Sequence, residues 1–287
     1  MYARVDGAFI FYDVDGVQFI PDGNRLKERP VLFLLHGGPG GDHAGFKGTV
    51  GELTDVAQLV FIDHRGSGRS HPCDPATYTL EQNIKDVEGL RVALGLERIA
   101  ILGSSYGGMV AQGYAINYPD RVNNLILCAT APSFRFMEDA QRILAKRATP
   151  EQIAVCRRLW EGTFESLEQL FDYYRLMGPM YSLKFDEQKF LESWGRGIRN
   201  FEQLNYGFGG FLRNFDFTLQ LKTIRCPTLV LGGAHDWICA PNHSRIIAEQ
   251  IQGSQLKIFD HSSHSIAADE PEEFLTAIRG FLTYPQL

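Results

Sequence analysis

Residues 99 to 108 read Ile-Ala-Ile-Leu-Gly-Ser-Ser-Tyr-Gly-Gly, and this stretch decides how the rest of the chain is interpreted. The run Ile99 to Leu102 is typical of a strand buried on both faces, whereas Met109 to Tyr118 is helical. Gly103 to Gly107 therefore forms a sharp turn from a strand into a helix. Such a turn projects a serine hydroxyl above the edge of a sheet, where a base can reach it.

The glycine spacing selects Ser105 rather than Ser104 as the candidate nucleophile. A strained turn crowds its neighbours, so glycine is needed two residues before and two residues after the serine. Ser105 has Gly103 and Gly107 at those positions. A nucleotide-binding turn is the alternative, but the Gly-x-Gly-x-x-Gly spacing is missing and the motif lies far from the first strand–helix–strand unit.

Apolar runs alternate with helical periodicity on both sides of this motif, which predicts an α/β fold with a mostly parallel, doubly wound sheet. The helix predicted between two of the runs covers Glu81 to Leu94. The runs are Val31 to Leu35, Leu59 to Ile62, Ile99 to Leu102, Leu125 to Cys128, Thr228 to Leu231 and Leu256 to Phe259.

The first thirty residues indicate antiparallel strands at one edge of this sheet. Asp-Gly pairs at 6–7 and 15–16 separate the β-rich runs Ala8 to Val14 and Val17 to Ile20. Asp-Gly between such runs favours tight hairpin turns. We therefore expect a sheet edge built from hairpins.

The alternation stops between Pro132 and Thr218, where helix starts replace strand-like runs. Thr149 to Gln152 and Ser166 to Gln169 both match a capping box. This segment holds half of the aromatic residues of the chain, so it must cover an apolar surface. The sequence predicts a core domain of residues 1–131 and 219–287, and a helical cap (lid) domain of residues 132–218 whose inner face lines a pocket.

Two backbone N–H groups near Ser105 are candidates for an oxyanion hole, which an acyl-transfer site needs. Tyr106, directly after the serine, supplies one. The glycine-rich loop His36 to Gly41 supplies the other, with Gly38 favoured and Gly37 its nearest competitor. A phosphate-binding loop is the alternative, but the Lys-Ser or Lys-Thr ending is missing. We expect His36 to brace this loop.

An acid and a base complete the candidate site. Asp236 follows the strand Leu229 to Gly233, whereas its competitor Asp63 precedes the serine and is expected to stabilise its own loop. His264 lies in a polar loop after the last strand, and its competitor His261 follows that strand immediately. Ser105, Asp236 and His264 follow one another along the chain as serine, aspartate and histidine. This order is typical of a nucleophile, an acid and a base that act together on a doubly wound sheet.

Composition excludes several classes of function. The formal net charge is −6, and the 28 lysines and arginines are scattered, which argues against a nucleic-acid partner. The amino terminus lacks the apolar run of a secretory signal and no segment has about 20 apolar residues, so we expect a cytoplasmic protein without a membrane partner. The five cysteines show no metal spacing and are predicted to be reduced thiols, mostly buried.

These motifs resemble the prolyl aminopeptidase (proline iminopeptidase) family of α/β-hydrolases over nearly the whole chain. The most specific is His-Gly-Gly-Pro-Gly at 36–40. The resemblance implies the α/β-hydrolase fold, a helical cap over the site and release of an N-terminal residue, often proline, from a short peptide. The other matching stretches are residues 63–70, 103–108 and 232–236 and the loop of His264.

One departure concerns the glutamates with which family members hold the substrate's amino group. Where one is expected, just before a Gly-Gly-Phe-like stretch, this chain has the neutral Asn205, and Glu202 and Glu192 are nearby substitutes. Gly37, Asn205, Glu202 and Tyr206 are the candidate substrate-binding residues.

The predicted function is hydrolysis of a small amide or ester through an acyl-enzyme on Ser105, with no metal or cofactor. A small molecule or a short peptide is the expected substrate. A carboxylesterase or a lactonase, for example of acyl-homoserine lactones, acting on an uncharged substrate is the alternative. The rival from another class is an inactive binding module that retains the fold.

Overall fold

The computed structural model describes residues 1–283, with Phe46 described by its backbone alone. Strands and helices alternate through the first half of the chain and again near its end. The strands are β1 Tyr2–Val5, β2 Ala8–Asp15, β3 Phe19–Asp22, β4 Arg25–Glu28, β5 Val31–Leu35, β6 Gln58–Ile62, β7 Ile99–Ser104, β8 Val122–Cys128, β9 Thr228–Gly233 and β10 Gln255–Phe259.

The helices between and after these strands include five that are consecutive, α4 to α8, with no strand among them. The helices are α1 Ala44–Val50, α2 Leu80–Ala93, α3 Tyr106–Asn117, α4 Phe136–Arg147, α5 Pro150–Glu161, α6 Leu167–Tyr181, α7 Glu187–Arg196, α8 Phe201–Phe208, α9 Pro241–Gln250, α10 Ile266–Asp269 and α11 Pro271–Thr283.

The main sheet has eight strands in the order β1-β2-β6-β5-β7-β8-β9-β10. Each pair of neighbours in the part of this order that runs β6-β5-β7-β8-β9-β10 is parallel. Strands β1 and β2 join the sheet antiparallel at its edge. Buried side chains form one apolar cluster on each face of this sheet. The predicted fold class is therefore confirmed, and β7 lies near the middle of the sheet.

The amino-terminal strands correct one expectation. Asp6 and Gly7, with φ of 44° and 78°, make the predicted hairpin between β1 and β2. The second Asp-Gly pair closes no hairpin on β2, because the end of β2 from Tyr12 to Asp15 pairs with β6 instead. Strand β3 pairs with β4 in a separate two-stranded sheet.

The helices α4 to α8 form a single insertion between β8 and β9, and its two ends lie side by side. Phe134 donates its N–H to the carbonyl of Phe215 at 2.9 Å, and Phe217 donates to Pro132 at 2.8 Å. The buried side chains of the insertion continue the apolar cluster on one face of the sheet. The division into core and cap domains stays a prediction.

Two further expectations concern the whole chain. Within residues 1–283, no helix combines the length and the apolar character that crossing a bilayer requires. Three of the five cysteines, Cys128, Cys156 and Cys239, are buried and the other two are partly buried, so the prediction of mostly buried thiols is confirmed.

Candidate active site

Ser105 occupies the turn between β7 and α3 in a strained backbone conformation, with φ of 54° and ψ of −120°. Only a turn that the surroundings enforce holds a non-glycine residue there. A β-carbon on Gly103 would collide with the main chain of Gly107, and one on Gly107 would collide with the carbonyl of Leu35. The two glycines are thus needed for the reason that the sequence pattern suggested.

The turn is also held from β8 and the residues that follow it. Ser105 donates its N–H to the carbonyl of Cys128 at 2.9 Å. Thr130 donates its hydroxyl to the carbonyl of Ser105 at 2.7 Å. Thr130 could not be predicted from the sequence, because no motif links a threonine two residues past β8 to the serine.

The glycine-rich loop after β5 passes directly beside the serine. A β-carbon on Gly37 would lie only 3.0 Å from that of Ser105. His36 Nδ1 contacts the carbonyl oxygen of Gly37 at 2.8 Å. Because a peptide unit is planar and this one is trans, anchoring the Gly37 carbonyl points the N–H of Gly38 in the opposite direction. Neither Gly38 nor Tyr106 donates its N–H to another residue of the described chain.

His36 works as the predicted brace, together with His64 from the loop after β6. The main-chain N–H of His64 donates to His36 Nε2 at 3.1 Å, so the proton of His36 must lie on Nδ1, facing Gly37. His64 Nε2 in turn contacts the carbonyl of His36 at 3.2 Å. Burial lowers the pKa of both imidazoles, that of His64 further, and this keeps them neutral near pH 7.

Asp236 and His264 are brought together at the same edge of the sheet. His264 Nδ1 lies 2.8 Å from Asp236 Oδ2, and the carboxylate is completely buried. The other oxygen of Asp236 accepts the N–H groups of Ile238 and Cys239, each at 2.9 Å. The ring of Tyr181 meets the imidazole of His264 edge-on, with 5.6 Å between centroids.

The competing residues lie elsewhere. His261 is exposed, and its N–H donates to Glu270. Asp63 is buried and bonds to His43 Nδ1 at 2.8 Å and to the N–H of Arg69. Ser105 Oγ makes no hydrogen bond to His264 within the described residues.

The loop of His264 is fastened to the end of α6 through Asp269. Ser263, next to the histidine, donates its N–H to Asp269 at 2.8 Å. Ser182 and Lys184 donate to the other oxygen of the same buried carboxylate, at 2.5 and 3.1 Å. The inserted helices and the loop of His264 therefore share one anchor. This anchor could not be predicted from the sequence, because Ser182 and Lys184 are more than 80 residues away from Asp269 along the chain.

Three of the candidate substrate-binding residues are exposed or are bonded to residues other than Ser105. The Asn205 side chain is bonded to the main chain of Phe164, accepting its N–H at 3.0 Å and donating to its carbonyl at 2.7 Å. Glu202 is exposed in the first turn of α8. Tyr206 is exposed and packs on the ring of Tyr78. Their role in binding substrate stays a prediction.

A cavity of about 40 Å³ lies between the glycine-rich loop and the insertion. It is lined by loop residues 39–41 and by Leu170, Tyr174, Arg199, Asn200 and Leu204. A larger groove of about 550 Å³ lies on α5, beside Arg157 and Arg158. No residue of the turn of Ser105 or of the loop of His264 lines either cavity, but the smaller one includes residues 39–41 of the loop that passes beside Ser105.

The comparisons with known proteins agree with the observed fold. Residues 30–271 match the family model of the α/β hydrolase fold. The chain belongs to the α/β-hydrolase family. This α/β-hydrolase is 33% identical over 278 residues to proline iminopeptidase PfmaB of Pestalotiopsis fici, with 95% of this chain and 98% of that protein covered. It is 29% identical to proline iminopeptidase of Saccharolobus solfataricus, with 98% and 91% covered.

Solved structures of the family superimpose over nearly the full length of this α/β-hydrolase. Proline iminopeptidase of Mycobacterium smegmatis gives a TM-score of 0.77 at 22% identity, covering 98% of this chain and 97% of that one. The enol-lactonase of Burkholderia xenovorans gives 0.72 at 23% identity, covering 99% and 100%. The resemblance to prolyl aminopeptidases is confirmed, and the chain is a hydrolase that resembles them.

Proposed function

We propose that this hydrolase cleaves a small amide or ester through an acyl-enzyme on Ser105. His264 takes the proton of the Ser105 hydroxyl as the hydroxyl oxygen attacks the substrate carbonyl, and gives it to the leaving group as the acyl–heteroatom bond breaks. Water, deprotonated by His264, then releases the acid and regenerates the serine. Asp236 holds the imidazole in the required tautomer. The observation that carries the proposal is the 2.8 Å bond between Asp236 and His264 at the edge where Ser105 is presented.

The unpaired N–H groups of Gly38 and Tyr106 support the oxyanion hole in this proposal. They flank Ser105, and charge that develops on the substrate oxygen is stabilised by donors fixed in advance. The lack of a bond between Ser105 and His264 is compatible with the mechanism, because such bonds often tighten only when substrate is bound.

For the substrate, the named relatives favour release of an N-terminal residue from a short peptide. One observation favours a second candidate, hydrolysis of an ester or a lactone. An ammonium group withdrawn from water needs a carboxylate partner, and the side chain at the expected position, Asn205, is neutral and occupied by Phe164.

A fluorophosphonate probe tests the nucleophile. The wild-type protein is expected to be labelled, and Ser105→Ala to lose both labelling and activity. Ser104→Ala is the matched control, because it removes the neighbouring hydroxyl at the end of β7 and should leave labelling intact. Wild-type protein that is folded but unlabelled would instead support the inactive binding module.

A second experiment separates the two substrate classes. Rates are measured for proline para-nitroanilide and for a para-nitrophenyl ester of similar size. Activated esters are intrinsically easier to cleave than anilides. If the enzyme cleaves the anilide faster, relative to the ester, than this difference in reactivity allows, the result would support the aminopeptidase. Ester hydrolysis with no measurable release of proline would support the esterase or lactonase.

A further inference from the structure

Arg199 lies at the small cavity beside the glycine-rich loop and is the only charged residue among those that line it. The loop and the insertion touch here, because Asn200 donates its N–H to the carbonyl of Gly40 at 2.8 Å. A β-carbon on Gly40 would collide with the carbonyl of Asn200. Arg199 is therefore held one residue away from a fixed contact with the loop.

Two sets of contacts connect the small cavity with the residues of the proposed chemistry, one with Ser105 and one with His264. Gly37, in the same loop, lies against Ser105. Tyr174, in the cavity wall, packs against Tyr181 with 5.9 Å between ring centroids, and Tyr181 packs against His264. The cavity is thus connected to the proposed site through Gly37 on one side and through Tyr181 on the other.

The guanidinium of Arg199 is held on one face and one edge only. Its central carbon lies 4.1 Å above the ring of Trp194, and Nη1 donates to the carbonyls of Trp194 and Gly197, at 2.9 and 3.4 Å. Nε and Nη2 donate to no described residue. Together these two nitrogens form the fork that a carboxylate bridges with both oxygens.

No carboxylate of the described chain forms an ion pair with Arg199. The nearby Asp42 acts on it only through space, since its own oxygens accept from Ala44, Arg69 and Ile198. Burial lowers the pKa of Arg199. A guanidinium partly withdrawn from water without a carboxylate partner costs free energy that a bound anion would recover.

We propose that this cavity binds a carboxylate group of the substrate, with Arg199 as its bidentate donor. The volume of about 40 Å³ suits a group of this size, because a cavity of roughly 10–15 Å³ already holds one water. The inference rests on the proposed acyl-enzyme function. A short peptide supplies a carboxylate on the leaving-group side, and a monoester of a dicarboxylic acid supplies one on the acyl side.

Matched pairs of esters test the inference and distinguish the two sources. The acyl-side pair is the mono-para-nitrophenyl ester of adipic acid and para-nitrophenyl hexanoate. The leaving-group pair is the hexanoyl ester of para-hydroxybenzoic acid and that of its methyl ester. In at least one pair, kcat/KM of the wild-type enzyme should favour the carboxylate by roughly tenfold to a hundredfold.

Arg199→Gln should abolish this preference while leaving kcat/KM for the neutral ester within about threefold, which also shows that the site is folded. Arg199→Lys keeps the charge without the fork and should retain part of the preference. Arg196→Gln is the matched control, because Arg196 is an exposed cation at the end of α7 and its loss should change nothing.

Two results would overturn the inference: a wild-type enzyme with no carboxylate preference in either pair, or a preference that Arg199→Gln retains. If the neutral ester is still cleaved in a Ser105-dependent way, the proposed function survives and only the carboxylate site is wrong. If no ester is cleaved in a Ser105-dependent way, both proposals fail.

Discussion

Two buried aspartate–histidine pairs lie at the same edge of the sheet, and their geometry is nearly the same. Asp63 follows β6 and Asp236 follows β9, and these strands lie two places from β7 on opposite sides. In each pair the Nδ1–carboxylate distance is 2.8 Å and the carboxylate is completely buried. Each carboxylate also accepts two main-chain N–H groups.

The pairs differ in what surrounds the imidazole. The ring of His43 stacks on Phe11, with 5.3 Å between centroids and 22° between planes, and Phe61 packs beside it. His264 lies in the polar loop after β10, with Tyr181 edge-on against it. An aspartate–histidine pair is thus no marker of chemistry by itself, because the same bond can anchor a loop or orient a base.

The largest expected difference between the pairs is in kcat. Asp236→Asn should lower kcat by about 10⁴-fold, because an amide neither selects the right tautomer of His264 nor stabilises the imidazolium. Asp63→Asn should lower it by less than about tenfold, since His43 has no place in the proposed chemistry. Both are measured at saturating para-nitrophenyl ester, with circular dichroism as the check on folding. Equal losses in the two variants would remove the distinction between the pairs.

The second difference is in stability and its dependence on pH. Burial alone would raise the pKa of Asp63, yet the hydrogen bonds from His43 Nδ1 and from the N–H of Arg69 hold it below its ordinary value. Because the folded pKa is lowered, the ionised group stabilises the fold above the unfolded pKa of about 3.9, and this is lost as the pH falls through the folded pKa.

Asp63→Asn should therefore lower the free energy of unfolding by about 2–4 kcal/mol near neutral pH, and by much less in acid. Urea unfolding of the two proteins at several pH values measures the difference. Asp22→Asn, at an exposed position in β3, is the control and should change stability by less than about 0.5 kcal/mol. If the free energy of unfolding of Asp63→Asn stays below that of the wild type by a constant amount down to pH values well below 3, the charge of Asp63 is not the source of the difference.

The smallest expected effect concerns the support of His264. Asp269→Asn replaces one of the two accepting oxygens with an NH₂ group. This donor then faces either the N–H of Ser263 or the donors at 182 and 184, and the loop shifts because two donors cannot bond to each other. We expect kcat to fall about tenfold with little change in KM, and labelling of Ser105 to slow in parallel. Asp139→Asn is the control, because the side chain of Asp139 accepts hydrogen bonds from Arg142 and Asn242 and bonds to no residue of the loop of His264 in the described chain. A lowered melting temperature with unchanged kcat would give Asp269 a structural role alone.

Local signals were enough to predict the fold and to nominate the candidate site. The strands from β5 to β9 each contain a continuous apolar run, and the glycines around Ser105 reveal the turn because a side chain there collides with the main chain. Thr149 and Gln152 form the predicted reciprocal capping box, whereas at Ser166 only the serine half is present, because Gln169 accepts from Glu165 instead.

What the sequence could not predict depends on contacts between distant parts of the chain. The pairing of β3 with β4 was missed because the competition of β6 for β2 is a tertiary effect. His43, which pairs with Asp63, and His264, which pairs with Asp236, differ in the aromatic rings around the imidazole, and no spacing in the sequence encodes these contacts. The proposed role of Arg199 could not be predicted from the sequence, because it depends on the lack of a carboxylate partner around Arg199 in the described part of the fold.

The shared anchor at Asp269 has a consequence for how members of this family can exchange parts. Recombination at the two ends of the insertion, at Pro132 and Phe217, brings a foreign insertion with new residues at 182 and 184. Those residues bond the carboxylate that holds Ser263, so a chimera changes the alignment of His264 along with the pocket wall. New specificity is therefore expected to transfer only when residues 262–269 are exchanged together with the insertion.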